Sequence, residues 1–288
     1  MSLPLSTVAP VQSDPVRAAL DLRAQGRPRE ALDVLSSAGE FSVDLYILRG
    51  DLQMEMGLIK EAAGSYFTVT ASEPDNIYAQ SNLGACLHRL GRWEAASEAF
   101  QAVLKFDPHR DEVRVDMGNC LLHLQRHEEA LSCFDQCWSD AARRRALFGR
   151  AVALHRLRRF DEAEANYQRL LLLDPKASEA MANLVAMSLD VFDLDRIQKY
   201  AKQLLDLNPR SSIALQGLAL AALENHDFGI AASYFFRAAE LEPQLLKPDL
   251  STSGKLGAAE YRVDRAAFEN LVQAARSKAG AARTAGAG

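Results

Sequence analysis

The chain lacks most of the patterns by which a sequence announces chemistry. It has no G-x-G-x-x-G, no Gly-rich Walker loop, no H-E-x-x-H and no G-x-S-x-G. The common phosphate cradles, zinc sites and nucleophile elbows therefore have no candidate, and a non-catalytic role is expected. Cysteine is scarce: Cys86, Cys120, Cys133 and Cys137, with no Cys-x2-Cys pair. Such a set reads as free thiols packed as small hydrophobes. It favours a reducing, cytoplasmic setting over a disulfide-stapled one. The nearest approach to a metal set is Cys120, His123 and His127, but a turn is expected at Gln125-Arg126 between the two histidines. No metal and no cofactor is expected. The first fifteen residues carry no Lys or Arg and no sustained apolar stretch, which makes a poor signal peptide. No run of 18 apolar residues exists to span a bilayer. Nor is there an excess of positive charge: 33 Lys and Arg stand against 38 Asp and Glu, for a net charge of −5. A nucleic-acid partner is not expected from that balance.

What the chain has instead is internal repetition. Gly50, Gly84 and Gly118 lie 34 residues apart, and the series continues through Ala151, Val185 and Ala219. A second series runs Ala62, Ala96, Ala130, Ala163, Ile197 and Ala231. Four residues further on comes a third: Tyr66, Phe100, Phe134, Tyr167, Ala201 and Phe235. Prolines close most of the units, at Pro74, Pro108, Pro175, Pro209 and Pro243. The most regular copy, 76–108, reads NIYAQSNLGACLHRLGRWEAASEAFQAVLKFDP and holds two helical patterns split at Leu90-Gly91-Arg92.

The spacing of LG, A-x3-F and P resembles the tetratricopeptide repeat, a helix–turn–helix unit of 34 residues. The resemblance implies an all-α fold: a right-handed superhelical solenoid of about seven helix pairs, the first degenerate, with no strand. The divisions expected are a leader over 1–13, the solenoid over 14–243, a connector over 244–258, a capping helix over 259–278 and a tail over 279–288. The compact motifs are similar to those of bacterial cytoplasmic repeat proteins.

The residues carry their own reasons. Asp14-Pro15 reads as a helix start, with Asp as cap and Pro in the first turn. Gly57 and Gly91 stand where two antiparallel helices need a residue with permissive dihedrals. Small residues at Gly50, Gly84, Gly118 and Ala151 let paired helices approach, and the aromatics sixteen residues later fill the adjoining gap. Arg49 and Arg150 share one register, which predicts a packed stem and a guanidinium in water. The fourth unit lacks its closing proline, and the next arrives one residue early. That change reads either as a tolerated deletion or as a bend or partner surface.

In the resembled family the first helix of each unit lines an inner groove that binds extended peptides or helices. Carried over by register, the groove candidates are Tyr78, Asn82 and Arg89 in the third unit, with Asp116, Asn119 and His123 in the fourth. The fifth gives Arg145, Phe148 and Arg156, and the sixth Asn183. Asp51 and Glu55 are their counterparts in the second. An Asn amide can serve both donor and acceptor of a peptide backbone, and an Arg fork can hold a carboxylate. The family's carboxylate clamp of Lys, Asn and Arg has no match in the first units. The function implied is an interaction adaptor or assembly scaffold whose protein or peptide partner is acidic and partly apolar. Two other readings stay open: a self-assembling structural repeat protein, and a regulatory repeat domain of a larger enzyme.

Overall fold

The computed structural model describes residues 14–38, 41–242, 255–256 and 259–260. The leader, the tail, most of the connector and nearly all of the expected capping helix lie outside the described residues. Packing divides the chain into two compact units, 1–143 and 144–288.

The first unit is built of helical hairpins, each a first helix A and a second helix B. They are α1 (Pro15–Ala24) with α2 (Pro28–Ser37), α3 (Val43–Glu55) with α4 (Ile59–Ser72), α5 (Ile77–Arg89) with α6 (Trp93–Phe106), and α7 (Asp111–His123) with α8 (His127–Asp135). Helix α9 (Asp140–Arg156) begins before the division and pairs with α10 (Phe160–Leu173) in the second unit. There α11 (Ser178–Asp190) and α12 (Leu194–Leu207) follow, then α13 (Ser212–Glu224) and α14 (Phe228–Leu241). Within each unit successive hairpins pack through a B–A contact: α2 on α3, α4 on α5 and α6 on α7 in the first unit, α10 on α11 and α12 on α13 in the second. This is the all-α repeat architecture of paired helices that the periodicity predicts.

Local chemistry explains the hairpins. Asp14 caps α1, its side chain accepting from the Val16 N–H at 3.0 Å, with Pro15 in the first turn. Asn76 caps α5 in the same manner, accepting from Ala79. Every hairpin turn holds one residue in the left-handed region: Gly26, Gly57 and Gly91, then Gln125, Arg158, Phe192 and His226. The bonds that close it recur as well. Gly57 donates to Met54 and Leu58 to Gln53 in the second hairpin, as Arg158 donates to His155 and Arg159 to Leu154 in the fifth, the paired bonds of a Schellman ending.

The predicted small-to-large packing is present at close range. A Cβ placed on Gly50 would lie 2.7 Å from the Tyr66 ring, on Gly84 2.6 Å from Phe100, and on Gly118 2.7 Å from Phe134. The Ala series Ala62, Ala96, Ala130 and Ala163 is fully buried, as is Ile197. Cys86, Cys120 and Cys133 are buried free thiols, and Cys137 is half-buried.

Two details differ from expectation. A two-residue antiparallel ladder joins β1 (Lys255–Leu256) to β2 (Ala259–Glu260). No strand was expected, and this ladder lies outside the helical hairpins. Two backbone pairs are too short a pattern for periodicity to register. The second difference concerns the arginines. Both are half-buried, but their heads meet protein: Arg150 donates to Asn166 Oδ1 at 2.9 Å, and the Arg49 guanidinium lies 5.8 Å from the centre of the Tyr46 ring.

The missing proline after the fourth hairpin is replaced by a buried carboxylate. Asp111, 7% exposed, accepts from the Trp138 and Ser139 N–H groups at 2.8 and 2.7 Å and pairs with Arg114 at 2.8 Å. Arg114 in turn donates to the Pro108 carbonyl. Burial pushes the Asp111 carboxyl up, but these two amides and Arg114 hold it below its ordinary value. Ser139 then caps α9, its hydroxyl accepting from Ala142.

Candidate ligand-binding face

The expected residues lie on the A helices α5, α7, α9 and α11. In the first unit Asp51 on α3 links side chains of α4 and α5. Its Oδ1 accepts from the Tyr66 hydroxyl at 2.6 Å and from the Tyr78 hydroxyl at 2.8 Å. Tyr66 comes up from the core of its own hairpin, where it is 1% exposed. Tyr78 comes across from α5, and its ring is 50% exposed. Burial and the Asp51 carboxylate together raise the pKa of both phenols, so both remain donors. Beside them Glu55 is paired with Arg23 of α1. The acidic side chains of this corner are thus matched from within.

Asn82 and Asn183 each donate one amide N–H to the carbonyl four residues back, Tyr78 at 3.1 Å and Glu179 at 3.0 Å. That bond fixes the side chain; it leaves Asn183 an oxygen and one N–H, while the Asn82 amide also donates to the Tyr78 hydroxyl and keeps its oxygen. Asp116 and Asn119 are half-buried on α7. Arg89, at the end of α5, is exposed and has no ion-pair partner among the described residues. His123 lies at the hairpin turn, where its ring stacks on Trp93 of α6 at 4.0 Å and 7°. Trp93 also meets His88 edge-on at 4.9 Å. The ring is therefore a packing partner of Trp93, a contact between helices that spacing along one helix does not reveal.

In the second unit, Arg145 and Arg156 are exposed on α9 and Phe148 is half-buried. Phe148 meets Tyr167 of α10 edge-on at 6.1 Å and 68°. Tyr167 is 0% exposed, and its hydroxyl has no hydrogen-bond partner among the described residues. The sequence marks this tyrosine only as core bulk.

No described helix is long and apolar enough to cross a membrane. Among the described residues no group of three or more His, Cys, Asp or Glu could hold a metal ion. Burial pushes the Cys86 and Cys133 thiols up to about 11 and Cys120 up to about 12, away from the thiolate a nucleophile needs. Open grooves lie on the B-helix side of the first unit. One, of about 800 Å³, is walled by Phe67, Leu83, Leu87 and Ala99.

Comparison with known families agrees with this geometry. Sequence models described as tetratricopeptide repeat match residues 47–111, 87–153 and 144–177. Over residues 47–177 the chain is a tetratricopeptide repeat protein. Comparison with curated protein sequences finds none that matches. Among solved structures, a tetratricopeptide repeat protein from Parabacteroides merdae is similar at 17% identity and a TM-score of 0.60, over 91% of this chain and 97% of that one. PilW, described as a widely conserved type IV pilus biogenesis factor, is similar at 19% identity and a TM-score of 0.61, over 70% of this chain and 94% of its own. PilF of Pseudomonas aeruginosa is similar at 18% identity and a TM-score of 0.58, over 70% and 92%. At such identities the likeness is one of fold.

Proposed function

We propose that the chain is a non-catalytic adaptor that binds a protein or peptide partner on the exposed faces of its A helices. The tetratricopeptide fold generally mediates protein–protein interaction. The observation that carries the reading here is the Asp51–Tyr66–Tyr78 network. It holds a half-exposed aromatic ring in one orientation on the α5 surface, so little side-chain freedom is lost when a partner covers it. The charge of the partner follows from what is left over. Asp51 and Glu55 are satisfied by their neighbours, whereas Arg89 in the first unit and Arg156 in the second have no ion-pair partner among the described residues. An acidic, partly apolar ligand suits such faces, and the fixed Asn82 oxygen would accept from its backbone.

The test is affinity capture with the wild-type chain, followed by titration of the captured partner against Arg89→Glu and Tyr78→Ala. Charge reversal adds repulsion to lost attraction, so Arg89→Glu should weaken binding at least about tenfold, roughly 1.4 kcal/mol, with the helical circular dichroism unchanged. A partner held equally by wild type and both variants would place the interaction off this face.

A further inference from the structure

The groove between the B helices α4 and α6 has features that the described residues do not use among themselves. Its walls include Gly64 and Phe67 of α4 and Ala99 and Ala102 of α6, over a floor of Leu83 and Leu87 from α5. Phe67 is 63% exposed at its edge. Gly64 lies inside α4, where glycine costs about 1 kcal/mol relative to alanine. A Cβ on Gly64 would meet nothing within 4 Å, whereas one on Gly50 would strike the Tyr66 ring. Packing among the described residues therefore calls for the glycine at 50 and gives no reason for the one at 64. One turn of α4 thus carries an apolar knob, Phe67, beside an open hollow at Gly64. The groove is also charged differently at its two ends. Lys60 in the first turn of α4 and Arg92 at the start of α6 line one end. Glu73 and Asp107 cap the other ends of the same two helices. None of these four has an ion-pair partner among the described residues.

We propose that this groove takes a second copy of the chain, in a two-fold pair where α4 of each copy lies antiparallel in the α4–α6 groove of the other. A two-fold contact sets one patch against itself, so a knob and a hollow side by side fill each other twice. Phe67 of one copy enters the hollow at Gly64 of the other, beside Leu87 and Ala99, and two exposed rings leave water. The missing Cβ at Gly64 lets the two backbones approach where the helices cross. The charges fit the same arrangement. Antiparallel placement brings the Lys60–Arg92 end of each groove to the end capped by Glu73 and Asp107 in the other, and it opposes the helix dipoles. A parallel arrangement would set like charges together. A patch with its projection, its hollow and both signs of charge on the same pair of helices is complementary to itself, which favours a copy over an unrelated protein. The walls of the groove are B helices, so the proposal is independent of ligand binding on the A helices.

The experiment is sedimentation equilibrium of the full chain over a wide range of concentration, at low and moderate salt, with the variants Phe67→Glu and Gly64→Leu. Wild type should pass from monomer to dimer as concentration rises, and salt should weaken the pairing. Phe67→Glu removes the knob and Gly64→Leu fills the hollow, and each should raise the dimer dissociation constant at least about tenfold. Gly64→Leu faces open space in the monomer and replaces a poor helix former. At a dilution where both chains are monomeric it should therefore keep or raise the thermal midpoint, which separates a lost contact from lost folding. A wild-type chain that stays monomeric throughout overturns the proposal. So does a dimer that both variants leave within about twofold of wild type, which would put the interface elsewhere. A monomeric chain whose captured partner is weakened by Phe67→Glu would assign the groove to another protein, and overturns the two-fold pair as well.

Discussion

The hairpins α3–α4 and α9–α10 share the length of the B helix, a left-handed residue in the turn and a core tyrosine, and they differ in what that tyrosine meets. In the first, Gly50 gives the Tyr66 ring its space, and Asp51 takes its proton-bearing end. In the second, Ala151 and Val152 stand in those places, the ring is equally buried, and the hydroxyl is left over. The turns differ as well: the first three hairpins turn on glycine, the last four on Gln125, Arg158, Phe192 and His226. Repeat sequences thus keep the backbone constant while individual hairpins are completed or left incomplete. An incomplete one carries a buried polar group with unused capacity, which costs stability.

The comparison breaks most severely if the aromatic itself is removed. Phe100→Ala, in the hairpin with the closest glycine contact, should cost roughly 3–5 kcal/mol through lost burial and a cavity. Because each hairpin stabilises its neighbours, the loss should appear in hydrogen exchange of α4 and α7 as well as in the denaturant midpoint. Next comes the junction. Asp111→Asn should cost about 1–3 kcal/mol by weakening charge-assisted bonds to Trp138, Ser139 and Arg114. The folded Asp111 carboxyl has a depressed pKa, so its contribution is complete above the ordinary carboxylate value of about 4 and is lost as pH falls through the folded value. The gap in stability between wild type and Asp111→Asn should therefore be full at pH 7 and shrink in strong acid. A gap that widened on acidification would contradict the assignment.

Gly50→Ala sharpens the contrast in the core. Its Cβ would sit 2.7 Å from the Tyr66 ring, and overpacking of this kind costs about 1–3 kcal/mol. At Ala151, where the same methyl already exists, Ala151→Gly should instead lose about 1 kcal/mol of helix propensity. Smaller still is the paired phenol test. Tyr66→Phe should cost about 1 kcal/mol for the bond to Asp51, whereas Tyr167→Phe removes an unpaired buried hydroxyl and should be neutral or stabilising. Equal losses for the two, read by thermal melts, would show that the hydroxyls are not differently satisfied. Last, Arg158→Gly should raise stability by about 1 kcal/mol, because a Cβ in the left-handed region carries a cost that glycine escapes. Gly57→Ala, in the corresponding turn, should lower it.

Much of this was readable before any coordinates. The 34-residue register fixed which residues would be small and which large, because helix hairpins of constant length bring the same positions into contact each time. Asp14 and Pro15 announced their cap through side-chain reach alone. The turn at Gln125 could be placed from the spacing, although its left-handed conformation in a residue with a Cβ could not. Nor could the strand ladder at Lys255–Leu256, which is too short to leave a period. The candidate site was legible as a face and illegible as a set of bonds. Tyr78, Asn82 and Arg89 are candidates by register alone, whereas Asp51 joining Tyr66 to Tyr78, His123 stacking on Trp93, and Asp111 holding Ser139 all link residues more than a dozen positions apart.

The sequence by itself determined the repeat, its period and its all-α class, since these follow from local geometry and apolar spacing. Only the tertiary structure decided which polar groups are already spent. Hydrogen bonding saturates: the Tyr66 phenol is satisfied because Asp51 lies 2.6 Å away, and the Tyr167 phenol is buried with no acceptor among the described residues. Distance between side chains from different helices, which the order of residues does not contain, makes that difference.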